Sequence, residues 1–222
     1  MGLQQVIKEL YARSPNWVNH IENRYPNEGD EPEFNYVWNN YGFRSLHQED
    51  YHLDDNNDIW CFGCSVTAGI GVAVEQTWPY LINQHTSRNV KNFGVGGSGE
   101  MTCHRLLFNW LKYSKHKPKQ IFVLGFFPGR EEVFDKLENR YVFVNIQTKR
   151  NMDYRLQQID KLLDGNARLL RDICNIENVH YINIEQSCGD AFKNNVKDFG
   201  RDNSHPGEQY HKFAANKFLD ML

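Results

Sequence analysis

Residues 62–69 read FGCSVTAG, where an apolar run breaks abruptly into glycine, cysteine, serine and threonine. Four chemistries fit such a cluster. It can be a tight turn, half of a redox dithiol completed by Cys61, a loop that cradles phosphate, or a serine raised as a nucleophile. Each makes a different demand on the rest of the chain.

The redox reading rests on WCFGC (60–64). A reactive dithiol of that type follows a long buried strand and opens a helix. The preceding YHLDDNNDIW is too polar for such a strand, and Gly69 and Gly71 weaken a helix that begins at Cys64. A zinc site from Cys61, Cys64, Cys103 and His104 fails on ligand spacing, because the second pair is adjacent in sequence. A phosphate loop needs Gly-Lys-Ser/Thr after its glycines, and no lysine is there.

A nucleophilic serine needs a base, usually histidine, and a carboxylate to orient it. It also needs hydrogen-bond donors for the oxyanion. Near the C-terminus, RDNSHPGEQYHKFAANKF places Asp202 three residues before His205, just ahead of a helical pattern. NFGVGGSGE (92–100) runs a strand end into glycines whose N–H groups can point outward. Blander roles remain for each: Ser65 as a helix cap, Asp202 as a helix-entry residue, Gly97 as a turn glycine, His211 on a solvated face.

The chain around these residues reads as α/β. Its 222 residues, 40% of them hydrophobic and 24% charged, carry a net charge of −3, which gives no general argument for nucleic acid or anionic membrane. The longest uncharged run, Ile59 to Val74, contains three glycines, two cysteines, a serine and a threonine, and is too short and polar for a membrane span. MGLQQVIKELYARSPNW reads as an amphipathic helix with no signal-peptide core, and five cysteines at unpatterned spacings fit reduced thiols. The expected location is cytoplasmic.

IWCF (59–62), VKNF (90–93), QIFVLGF (120–126) and VHYINI (179–184) are β-prone, with YVFVNI (141–146) either a fifth strand or part of an insertion. Helical patterns cover 77–85, 101–113 and 152–176, and a last helix starts at Pro206 with Tyr210, Phe213, Ala214, Lys217, Phe218 and Met221 on one stripe. Alternating strands and helices predict a parallel sheet covered by helices, with the site at the carboxyl ends of the strands.

On these residues the chain resembles the SGNH (GDSL-type) hydrolases. FGCSVTAG is similar to the family's first block, with Cys64 where aspartate is common. NFGVGG resembles the second block and maps its final glycine to Gly97, while DNSHP matches the fifth and maps Asp202 and His205. NYGFRS (40–45) and QTWPYLI (76–82) are similar to segments of variants that carry Gly-Cys-Ser. The third block departs: LGFFPGREE (124–132) has Phe127 and Pro128 where the family has an asparagine donor and an aspartate.

The resemblance implies a three-layer α/β/α sandwich, flavodoxin-like in plan, with a parallel sheet of about five strands in residues 59–222. Residues 1–58, polar, aromatic-rich and poorly periodic after the first helix, read as an N-terminal extension packed on its flank. It implies a serine esterase with Ser65 as nucleophile, His205 as base and Asp202 as orienter. The N–H groups of Ser65 and Gly97 would form the oxyanion hole, with Arg130 and Asn92 as candidate substrate or oxyanion contacts and Asn92 bracing its loop. Neither metal nor organic cofactor is implied. The implied partner is a small or carbohydrate-like ester, with no nucleic acid or membrane and no stated oligomeric order. A non-catalytic binding module and an acyltransferase are the alternatives.

Overall fold

The computed structural model describes residues 36–39, 43–44, 58–113, 117–125, 130–135, 140–145, 172, 180–184, 198–201 and 205–222. Among them are the strands β1 (Ile59–Gly63), β2 (Val90–Gly94), β3 (Gln120–Leu124), β4 (Arg130–Asp135), β5 (Arg140–Asn145) and β6 (His180–Ile184). The helices are α1 (Ser65–Ala68), α2 (Trp78–His85), α3 (Glu100–Tyr113) and α4 (Glu208–Leu219). The helical patterns expected at the N-terminus and over 152–176 fall almost entirely outside the described residues.

Four strands pair in parallel in the order β2-β1-β3-β6. This makes the chain α/β. Every residue of β1 and β3 is buried, the pattern of strands covered on both faces. Side chains alternate across the sheet. Ile59, Cys61, Phe122 and Leu124 join Trp78, Ile82, Tyr210, Ala214 and Phe218 in one core, so α2 and α4 cover that face. Phe218 stacks on Trp78 at 4.7 Å and meets Phe122 at 4.5 Å. Trp60 and Phe62 point the other way and meet Phe93 at 5.8 and 5.1 Å. The right-handed crossover rule brings α3 over this second face, and α3 packs against β1.

The order of the strands also fixes where a site can form. From β1 the chain moves outward to β2, then crosses back to β3 on the other side of β1. The crevice of such a sheet opens at the carboxyl ends of the strands where the winding reverses. Here that point lies between β1 and β3, and Ser65 follows β1 directly.

Residues 141–146, read as a fifth strand or part of an insertion, are largely β5, which pairs antiparallel with β4 in a separate two-stranded sheet. Two expectations change. The last helix begins two residues after Pro206, because Pro206 is still extended and bridges Phe199. The buried stripe of α4 is Tyr210, His211, Ala214, Ala215 and Phe218, while Lys217 and Met221 face outward. His211 joins this stripe because α4 packs against α2, whose Trp78 N–H donates to its ring.

Candidate active site

The chain turns from Gly63 straight into α1, a single helical turn whose residues are all buried. Its N-cap is Cys64, and no side chain caps it. Ser65 is thus the first helical residue and does not serve as the cap. Its side chain is only 4% exposed, and its Oγ lies 2.9 Å from Nε2 of His205, 140 positions away in sequence. That is within the reach required of a hydroxyl nucleophile and its base.

A buried turn of helix must find partners for its carbonyl groups. Cys64 and Ser65 accept the N–H groups of Ala68 and Ile70, each at 3.0 Å. The Thr67 carbonyl accepts Nδ2 of Asn92 at 2.8 Å, and that of Ala68 accepts Nη1 of Arg44 at 3.3 Å. The other end of the Asn92 amide accepts the Gly94 N–H at 2.9 Å. Asn92 therefore ties β2 to α1 through both of its polar atoms. The approach is close: a Cβ on Gly94 would stand 2.2 Å from the Ala68 nitrogen.

Beyond β2, Val95 donates to the Gly63 carbonyl at 2.9 Å, which docks the following turn beside the start of α1. In that turn Ser98 donates back to Val95 at 3.2 Å, with Gly97 at a φ of 71°. A positive φ at the third residue is the signature of a type II turn. Among the described residues neither the Ser65 nor the Gly97 N–H donates to a protein acceptor.

His205 is half-buried in a short reversal. Its carbonyl accepts the Gly200 N–H at 2.7 Å, and Gly207 donates to Asp198 at 3.0 Å on the other side of the Phe199–Pro206 bridge. The Asp198 carboxylate accepts the Gln209 N–H at 2.7 Å. A carboxylate at the first turn of α4 satisfies one of its free donors and complements its dipole. Asp202, Phe127 and Pro128 lie outside the described residues. Arg130 opens β4, with its side chain outside them.

The structure corrects the placement of His211. It is completely buried, not solvated. Its Nδ1 accepts the Trp78 N–H at 3.2 Å, capping α2, whose N-cap Thr77 supplies no side-chain bond. Burial, with the Arg44 and His205 charges nearby, pushes its pKa down to about 3. Burial also pushes His104 down to about 4. Cys61, Cys64 and Cys103 are buried free thiols, and burial raises those of Cys61 and Cys103.

Among the described residues no group of three or more His, Cys, Asp or Glu is placed to hold a metal ion, and no helix is long and apolar enough to cross a membrane. The sequence did not mark Arg44, Tyr36 or His211 as part of this neighbourhood. Arg44 stood only as one letter of NYGFRS, with no spacing to tie it to Ser65.

No protein-family profile matches the chain, and no curated protein matches it. Among solved structures it is similar to a member of the lipolytic protein G-D-S-L family from Veillonella parvula, with 19% identity and a TM-score of 0.41 over 73% of this chain and 96% of that one. It is also similar to a protein assigned to the lipolytic G-D-S-L family from Desulfitobacterium hafniense (13% identity, TM-score 0.42, 75% of this chain and 100% of that one). A third is a protein assigned as a GDSL-like lipase from Bacteroides ovatus, at 14% identity and TM-score 0.42 over 76% of this chain and 53% of that one.

Proposed function

We propose that the chain is a serine esterase that hydrolyses a short O-acyl ester on a polar or carbohydrate-like substrate. The observation that carries this is the 2.9 Å contact between Ser65 Oγ and His205 Nε2 at the switch point of the sheet. Ser65 attacks the ester carbonyl while Nε2 of His205 takes its proton. The N–H groups of Ser65 and Gly97 receive the oxyanion. The tetrahedral adduct collapses, and His205 returns the proton to the leaving alcohol. Water, deprotonated by the same imidazole, then releases the acid and restores Ser65. Asp202, three residues before His205, is assigned to hold the imidazole with its proton on Nδ1.

The resemblance of FGCSVTAG and DNSHP to the SGNH hydrolases supports this assignment. It also carries the finer fold, a flavodoxin-like three-layer sandwich with a fifth strand. A binding module without turnover is the second reading, favoured by Phe127 at the third-block donor position. Turnover of p-nitrophenyl acetate separates the two. The esterase reading expects activity in the native chain and its abolition by Ser65→Ala. Full activity in Ser65→Ala, or none in the native chain across a panel of short esters, contradicts it.

A further inference from the structure

The loop that follows α1 is held from two sides, and the two sides are distant in sequence. On one side stands Arg44, whose side chain is buried at 1% exposure. Its Nη1 donates to the carbonyls of Ala68 and Gly69, and its Nη2 to that of Val72 at 2.7 Å. The guanidinium lies 4.3 Å from the centre of the Tyr36 ring, and the Tyr36 hydroxyl accepts the Gly71 N–H at 2.8 Å. A planar fork is suited to this task because it reaches several carbonyls at once, which a lysine ammonium cannot do from one position.

On the other side lies the segment that carries His205. Arg201 donates its N–H to the Gly71 carbonyl at 2.8 Å, and a Cβ on Gly200 would fall 2.7 Å from that same oxygen. Gly200 in turn donates to the His205 carbonyl at 2.7 Å. The path runs without a gap from Arg44 to the 69–72 loop, to Gly200 and Arg201, and to the backbone of His205.

We infer that Arg44 is a positioning residue for the proposed reaction, fixing the loop on which the His205 segment rests and so setting the Ser65–His205 contact. This rests on the esterase reading for its catalytic consequence, but the mechanical link stands on the hydrogen bonds alone. The hydrogen bonds described for Arg44 end on the loop carbonyls of Ala68, Gly69 and Val72. Misplacing a base by a fraction of an ångström to an ångström costs rate while leaving ground-state binding nearly intact.

The test compares the native chain with Arg44→Ala, Arg44→Lys and Ile82→Ala, the last a core change in α2 that destabilises without touching the loop. Three readouts are taken at a temperature where all four are folded: the rate of Ser65 labelling by a fluorophosphonate, KM for a small ester, and amide exchange at Gly71, Gly200 and Arg201. Arg44→Ala is expected to slow labelling by ~10²-fold with KM for a small ester within ~3-fold, and to speed exchange at all three amides. Arg44→Lys recovers part of the rate, and added guanidinium ion restores part of it to Arg44→Ala. Ile82→Ala labels at nearly the native rate. Native exchange at Gly200 and Arg201 in Arg44→Ala overturns the inference, as does equal loss of labelling in Ile82→Ala. If the native chain is not labelled at all, the esterase reading fails, and the exchange data still decide the mechanical link.

Discussion

The two ends of the central strands handle buried polar groups in opposite ways. At the amino end Asp58, fully buried, pairs with Lys91, and Arg88 donates to Gln120 at 3.0 Å. The Asp58 and Lys91 charges are closed on one another at the edge of an apolar core. At the carboxyl end of the same strand β1, Ser65 is nearly as buried, but its hydroxyl faces a half-buried imidazole that crosses from the far end of the chain. A closed pair holds structure. In the proposed reaction this buried hydroxyl gives its proton to the partly exposed imidazole.

The largest expected effect lies at the carboxyl end. His205→Ala should lower ester turnover by ~10³-fold or more, and Ser65→Ala/His205→Ala should be hardly worse than either single change, because the groups act as a unit. Melting temperature should move little in all three. Additive losses in the double variant would break the contrast between the two ends.

The amino end should answer with stability instead. Lys91→Met leaves the Asp58 carboxylate buried without its ammonium, and removing one partner of such a pair costs about 3–5 kcal/mol. Urea unfolding should show this, while ester turnover per folded molecule stays close to native. A large loss of turnover at unchanged urea midpoint would show that the two ends are not separable.

A smaller effect follows acidification. His211 and His104 are held neutral in the fold, with pKa values near 3 and 4 against an ordinary 6.5. The unfolded chain binds protons at both positions first, so the stability they contribute is full above about pH 6.5 and falls as the pH drops toward 4 and then 3. His211→Gln should flatten part of that decline, read from urea midpoints across pH. A midpoint that rises on acidification through this window would contradict the burial argument. The least effect is expected from Cys61→Ala/Cys64→Ala, which should keep most ester turnover; loss on reduction of a disulfide between them would revive redox chemistry.

The strands of the sheet were legible because buried parallel strands are short apolar runs between turn residues, and IWCF, VKNF and QIFVL announce themselves. The meeting of Ser65 and His205 was legible for a chemical reason, since a serine in that turn asks for a base and the chain offers one before its last helix. What could not be read is the part made by long-range packing. Nothing local distinguishes Arg44 from a surface arginine, because its three carbonyl acceptors are exposed only by the fold of α1 and its loop. His211 follows a polar stretch and looks solvated. It is buried where α4 packs against α2, and there the Trp78 N–H donates to its ring. The β4–β5 pair was hidden by charge: REEVFD carries three carboxylates and does not resemble a strand by itself.

In the proposed mechanism Ser65 is a nucleophile activated by His205. Fluorophosphonate treatment followed by intact-mass and peptide mapping is the decisive experiment. One adduct per chain, located on Ser65 and lost in His205→Ala at unchanged folding, is the predicted result. An unlabelled chain that still hydrolyses short esters, or an adduct on any residue other than Ser65, would contradict it.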